Sequence, residues 1–252
     1  MKFVSAIPAN QELKTVARLK DAHERYQRKQ FVAEGLRTCQ AIIEAGVEPK
    51  LLFVTDKMLE KVPQDINREV VRLIKEDDLK KISHSTTPSG MLGVFPMPSA
   101  PEPAQLTSGI VLVGISDPGN MGTLIRTCVA LGKKSIVLID GADVFNSKVV
   151  QASAGAIAQA QLFKLSWQEL VQYKKDLPLI GLVVENGEPL HKLGAMPDSL
   201  LVIGSEAHGI PGNYIRDCQK KVTIAMPGNA ESLNAAIAGS IAMYTLWSAT
   251  GK

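Results

Sequence analysis

No stretch of this 252-residue chain approaches the roughly 20 consecutive apolar residues that a membrane-spanning helix needs, so no membrane partner is expected. The N-terminus, Met1-Lys2-Phe3-Val4-Ser5, opens without a long apolar run or a clear cleavage signal, and the expected location is the cytoplasm. Cysteine is scarce. Cys39, Cys128 and Cys218 are far apart and odd in number, which excludes a disulfide framework and suits buried thiols in a reducing compartment. No Cys or His pair has zinc-finger spacing; the nearest His–Cys pair is His208 and Cys218, and no metal is expected. Charge of one sign is also lacking. The net charge is +3, and residues 1–95 carry all of it, the remainder being balanced. An excess this small signals nucleic acid only weakly, because many solvated faces look the same.

The familiar nucleotide fingerprints are missing too. Gly114 to Gly122 is not G-x-G-x-x-G, and Gly132-Lys-Lys-Ser135 lacks the Walker spacing. Ser205 follows Gly204 directly, so there is no G-x-S-x-G elbow.

What is present is an ordinary globular composition, 45% apolar and 21% charged, long enough for one large or two small domains. Pro96-Met-Pro-Ser-Ala-Pro-Glu-Pro103 puts four prolines in eight residues, which suits neither a helix interior nor a central strand. An extended linker over 96–104 is predicted, dividing residues 1–95 from 105–252.

In the first part, Asn10 to Lys29 is polar and helix-prone, with Leu13, Val16 and Leu19 on one face. A second helix is predicted from Leu36 to Ala45, stopped by Gly46. Lys50–Thr55 and Val70–Ile74 read as short strands, with a helix starting near Asp77 and a Ser/Thr/Gly-rich loop over Ser83–Gly90. In the second part, Gly109–Ile115, Ser135–Asp140, Leu179–Val184 and Leu200–Gly204 are continuous apolar runs, as in strands buried on both faces of a parallel sheet, and Lys221–Ala225 is a shorter one. Helices are predicted at Thr123–Leu131, Ser147–Ala160, Trp167–Lys175, Ile210–Cys218 and Leu233–Trp247. This alternation predicts an α/β fold with an open parallel sheet, whose ligands bind beyond the carboxyl ends of the strands.

Three loops there are unusual. Ser116-Asp-Pro-Gly-Asn-Met-Gly-Thr-Leu-Ile-Arg-Thr127 follows a strand; Asn120 or Thr123 is a candidate helix cap, and Arg126 lies near the start of the helix. Gly204-Ser-Glu-Ala-His-Gly-Ile-Pro211 places Glu206 between two glycines that permit close backbone approach, while His208 reads more readily as a loop histidine in solvent than as a base. Ile224-Ala-Met-Pro-Gly-Asn-Ala-Glu-Ser-Leu-Asn234 carries Asn229, Glu231, Ser232 and Asn234 ahead of a helix of small residues, with Ser232 or Asn234 as its cap. Each loop alone is also compatible with an ordinary strand-to-helix connection.

Together, in this order and spacing, the three loops closely resemble the three signature motifs of the SpoU (TrmH-like) branch of the SPOUT methyltransferases over about residues 105–250. Asn10–Gly35 and Ser83–Gly90 more loosely resemble that family's substrate-binding domain, which has an L30e-like α/β fold. The resemblance implies a C-terminal trefoil-knotted parallel-sheet domain, a homodimer through that domain with active sites near its interface, and S-adenosylmethionine as cofactor. By position it implies cofactor contacts at Gly204, Ile224, Met226 and Leu233, and a catalytic set of Asn120, Arg126, Glu206, Ser232 and Asn234. The chain departs from the family at Ala225, where proline is frequent, and at Ala235-Ala-Ile237, where a serine is common.

The implied reaction is methyl transfer to a ribose 2′-hydroxyl of RNA, with 23S rRNA as the expected substrate. Lys14, Arg18, Lys20, Arg25, Arg28 and Lys29 are candidate phosphate contacts, against the simpler reading of a solvated charged face. Three rivals remain at this stage: a tRNA 2′-O-methyltransferase, a SPOUT enzyme that methylates a base, and a non-catalytic RNA-binding or ribosome-assembly protein.

Overall fold

A computed structural model describes residues 7–228 and 232–247. Asn229 and Glu231 of the third loop lie outside the described residues. The chain forms two compact units that are not contiguous in sequence. One comprises Met1–Pro98 with Asp143–Gln159, the other Ser99–Ala142 with Ala160–Lys252.

The first unit begins with α1 (Asn10–Arg18) and α2 (Ala22–Arg28), where the sequence predicts one continuous helical stretch. Asp21 interrupts it: its backbone is extended, and its side chain accepts hydrogen bonds from the N–H groups of His23 (2.7 Å) and Glu24 (3.4 Å), capping a new helix. Next come β1 (Gln30–Glu34), α3 (Leu36–Glu44), β2 (Leu51–Val54), β3 (Val71–Leu73), α4 (Glu76–Ile82) and β4 (Met91–Pro96). The sheet order is β1-β4-β2-β3, with β4 antiparallel to both neighbours and β2 parallel to β3. The sequence pattern predicts neither β1 nor β4. β4 is buried on both faces from Met91 to Phe95, so it shows no alternation, and it ends on Pro96, where a ladder donor is no longer needed. One core joins Val16, Leu19, Phe53, Ile74, Leu79 and Leu92. Elsewhere in this unit Phe31 packs between Phe95 and Phe145, with ring centroids 5.9 and 5.3 Å apart.

The second unit is a seven-stranded parallel sheet: β5 (Gly109–Val113), β6 (Ser135–Ile139), β7 (Gln161–Lys164), β8 (Leu179–Leu182), β9 (Glu188–Pro189), β10 (Leu200–Gly204) and β11 (Lys220–Thr223), in the order β7-β6-β5-β10-β8-β11-β9. Its helices are α5 (Pro118–Ala130), α7 (Trp167–Tyr173), α8 (Leu190–Leu193), α9 (Gly212–Ile215) and α10 (Ala235–Trp247), while α6 (Ser147–Ala152) belongs to the first unit. The predicted helix over Ser147–Ala160 breaks because Ala154 and Gly155 take left-handed backbone angles, φ 49° and 89°. A Cβ on Gly155 would sit 2.6 Å from the Ala41 methyl of α3. The helix predicted from Thr123 starts five residues earlier, at Pro118, because Asp117 rather than Asn120 or Thr123 caps it; its carboxylate accepts the Asn120 N–H at 2.7 Å.

Val111, Val137, Val202, Phe163, Trp167 and Leu170 form the core between the sheet and α7. On the other face α10 lies against α5 and β10, and Gly239 makes that approach possible: a Cβ there would be 2.5 Å from Leu124 and 2.8 Å from Ile203. From β5 the chain winds outward through β6 to β7 and then returns on the other side, leaving β10 between β5 and β8. The winding therefore reverses at the β5–β10 pair, the place where open parallel sheets form a crevice at their carboxyl ends.

Candidate active site

A cavity of about 280 Å³ opens at the carboxyl ends of β8, β10 and β11. Its apolar wall includes Leu182, Ile203, Ile224, Met226 and Leu233, and its polar edge is supplied by the loop after β10 and the start of α10. All four residues predicted to hold a cofactor, Gly204, Ile224, Met226 and Leu233, line it, and so do Glu206, Ser232 and Asn234 from the predicted catalytic set. Leu182, Val183 and Val184 also line it; sequence reasoning assigned them no role, because a strand end shows only an apolar run.

The loop after β10 is a tight turn. The Gly209 N–H donates to the Ser205 carbonyl (2.8 Å) and the His208 N–H to the Ser205 hydroxyl (3.2 Å), leaving the His208 residue exposed. Gly204 is required by space rather than by backbone angle, since a Cβ would lie 2.1 Å from the Gly209 carbonyl carbon. This bare backbone edge beside an apolar wall fits a flat heterocycle with polar edges, so the residues present fit a nucleoside-type cofactor.

Three side chains from three loops form one hydrogen-bonded chain. Asn234 caps α10: its Oδ1 accepts the N–H groups of Ala236 (2.9 Å) and Ile237 (3.2 Å). That orientation commits its Nδ2 to donate, and it does so to Asn120 Oδ1 at 2.9 Å. The Asn120 Nδ2 in turn donates to Glu206 Oε1 at 2.5 Å. Each amide orientation dictates the next, and the chain ends on a carboxylate at the cavity. Ser232 is exposed and its hydroxyl has no partner among the described residues. Arg126 lies six residues beyond Asn120, about 9 Å along the helix axis, and is not part of the cavity wall. It is exposed, with no hydrogen bond or ion pair among the described residues.

The thiols take no part. Burial pushes Cys39 and Cys128 up to about 12 and Cys218 to about 11, so all three stay protonated at neutral pH, and none is bridged. Among the described residues no group of three His, Cys, Asp or Glu is placed to hold a metal ion, and no helix is long and apolar enough to cross a membrane.

In the first unit, Lys14, Arg18, Lys20, Arg28 and Lys29 are exposed. Arg28 pairs with Glu24 at 2.9 Å and Lys20 reaches the Lys81 carbonyl at 3.4 Å. Arg25 corrects the expectation drawn for it. It is only 4% exposed, its Nε donates to Asp143 at 3.1 Å, and its Nη1 donates to the carbonyls of Leu19 and Lys20, both at 2.8 Å. Tyr26 adds a hydroxyl donor to the same carboxylate at 2.8 Å. With its Nη2 also donating to Asp143, four of its five N–H donors are taken within its own fold and the residue is buried, so Arg25 is structural.

The fold is an α/β fold with a cavity suited to a nucleoside-type cofactor at the carboxyl ends of β8, β10 and β11. Residues 108–244, more than half of the chain, match the SpoU rRNA Methylase family, and residues 10–93 match an MRM3-like substrate binding domain. The chain belongs to the SpoU rRNA Methylase family and is an RNA methyltransferase. It is 27% identical to the 23S rRNA (guanosine(2553)-2'-O)-methyltransferase RlmP of Bacillus subtilis, covering 94% of this chain and 96% of that one. A TrmH-family protein from Porphyromonas gingivalis has the same architecture, with 31% identity, a TM-score of 0.84 and coverage of 96% and 98%. The AdoMet-bound rRNA methyltransferase of Sinorhizobium meliloti shares the fold at 22% identity, with a TM-score of 0.82 and coverage of 97% and 96%.

Proposed function

We propose that this protein transfers a methyl group from S-adenosylmethionine to a ribose 2′-hydroxyl of 23S rRNA in the cytoplasm, acting as a homodimer. The observation that carries this reading is the Glu206–Asn120–Asn234 chain at the mouth of a cavity lined by Gly204, Ile224, Met226 and Leu233. The likeness to the Bacillus subtilis 23S enzyme over nearly the whole length of both chains supports the substrate. Three unbridged thiols suit a reducing compartment.

Those four residues would hold S-adenosylmethionine, which would supply an electrophilic methyl group on its sulfonium. The chain's own residues must place and polarise the hydroxyl. Asn120, held at both ends of its amide, is a rigid positioning group, and Ser232 offers a hydroxyl at the cavity rim that has no partner among the described residues. An arginine guanidinium is a hydrogen-bond donor with no acceptor site, which makes Arg126 ill-suited to act as a base. Its suited roles are to grip the phosphate beside the target ribose and to stabilise negative charge growing on the attacking oxygen.

The homodimer is supported by α10. Ile237, Ile241 and Tyr244 recur at helical spacing and are 54, 40 and 65% exposed, an apolar stripe on an otherwise buried helix. The trefoil knot belongs to the same reading. It is supported by β10 lying between β5 and β8 and by the Met196 N–H donating to the Leu246 carbonyl near the end of α10.

The test combines Arg126→Ala with product mapping. S-adenosylmethionine binding by calorimetry should stay near wild type while turnover on 23S rRNA falls at least 100-fold, the scale of a lost transition-state contact. The wild-type product should be an alkali-resistant 2′-O-methyl linkage. Near-normal turnover in the variant would remove Arg126 from the mechanism, and a methylated base or transfer RNA would overturn the substrate reading.

A further inference from the structure

The Ser/Thr-rich segment of residues 83–90 is held firmly and flanked by two hollows, both wholly within the first unit. Glu34 anchors its start. The carboxylate accepts the Ser83 hydroxyl at 2.6 Å and the His84 N–H at 2.7 Å, with the His84 imidazole 3.4 Å away. Burial raises the Glu34 carboxyl, but the hydrogen bonds from His84 and Ser83 outweigh it and hold it below its ordinary value, so it stays ionised and the anchor persists at neutral pH. At the other end the Thr55 N–H donates to the Gly90 carbonyl at 2.9 Å.

One hollow, about 270 Å³, is bounded by Thr87, Ser89, Ser147, Lys148 and Gln151. The other, about 520 Å³, shares Thr87 and Ser89 and is rimmed by Lys57 and Lys80. None of the side-chain polar groups of Thr87, Ser89, Ser147, Lys148 and Gln151 has an intramolecular partner among the described residues. Among the described residues the two rim lysines pair with surface carboxylates, Lys57 with Glu76 at 2.9 Å and Lys80 with Asp77 at 3.2 Å. Exposed pairs of this kind are weak and readily exchanged for a phosphate. The ridge presents hydroxyls, an amide and an ammonium unpaired among the described residues, beside hollows whose walls also carry apolar surface such as Met58, Leu79 and Pro88. It matches the phosphates, hydroxyls and base edges of single-stranded RNA.

We propose that the ridge of residues 83–90 is an RNA-reading element: a single strand crosses it with a phosphate on Lys148 and adjacent nucleotides seated in the two hollows that share Thr87 and Ser89. This rests on the RNA methyltransferase reading and adds a contact site apart from the basic surface of α1 and α2.

The test uses the full-length protein and unmodified 23S rRNA made by transcription in vitro. Lys148→Gln should weaken binding about tenfold, the scale of a lost charge-assisted hydrogen bond, and reduce the slope of log affinity against log salt by about one. Thr87→Val, which keeps shape and removes only the hydroxyl, should weaken binding about fivefold with the salt slope unchanged. Both should raise KM and leave kcat at saturating RNA near wild type. Lys164→Gln, an exposed charge on β7 of the other unit, is the control. The proposal falls if both ridge variants bind as wild type does, or if Lys148→Gln is no weaker than Lys164→Gln. A wild type that methylates the transcript while the variants behave normally sinks the ridge alone; a wild type that neither binds nor methylates it sinks the enzyme reading as well.

Discussion

Arg25 and Arg28 are three residues apart on one helix, yet they stand at opposite ends of what a charged side chain can do. Arg25 is buried, and its partners are a carboxylate and two backbone carbonyls; Arg28 is a third exposed and meets one glutamate. Removing a buried charge partner leaves the other charge desolvated and alone, which costs about 3 kcal/mol or more. Arg25→Ala is therefore expected to lower the denaturant midpoint sharply, whereas Arg28→Ala should shift it by about 0.5 kcal/mol or less. Comparable small losses in both variants would show that Asp143 finds other donors. The distinction was not legible in the sequence. Both arginines sit in the same polar stretch, and Asp143, the residue that separates them, is 118 positions from Arg25.

Among the elements, the turn after β10 shows how a glycine is tied to a site. Gly204 has no space for a Cβ, while Gly209 has open space but a left-handed backbone, φ 63°. Gly204→Ala must push apart the two sides of the turn that forms the cavity edge. It is expected to weaken S-adenosylmethionine binding tenfold or more, read by calorimetry, because the ligand-facing backbone moves. Gly209→Ala carries a conformational cost of about 1–2 kcal/mol with no clash, so its effect should appear in thermal stability before it appears in affinity. If the two variants lose affinity equally, the space argument at Gly204 is wrong. The pair of glycines was visible in the sequence, but which one was constrained by contact and which by angle was not.

For the whole molecule, the division into units matters more than the proline-rich segment suggests. Asp143–Gln159 lies between strands of the parallel sheet in sequence but packs with the first unit, so the chain passes between units at three points rather than one. The apolar stripe of Ile237, Ile241 and Tyr244 sets the assembly prediction. Ile241→Asp places a charge in the stripe and is expected to convert a dimer into a species of 27.1 kDa in sedimentation, with far-UV circular dichroism retained. A wild type that already sediments as a single chain would remove the dimer from the proposed function.

Much of the second unit was determined by sequence alone. The apolar runs that became β5, β6, β8 and β10 are buried on both faces, and such strands announce themselves without alternation. The polar loops after β5, β10 and β11 were equally visible, because their glycines, prolines and caps are local devices. Tertiary structure decided the order of the strands, the burial of Arg25 and the removal of residues 143–159 to the other unit. It also decided that Asn120 would meet Glu206 from 86 residues away and Asn234 from 114. The physical reason is common to all of these. A residue pattern encodes which face of an element must leave water, but the partner that covers that face, and the hydrogen bonds made across it, depend on where distant segments come to lie.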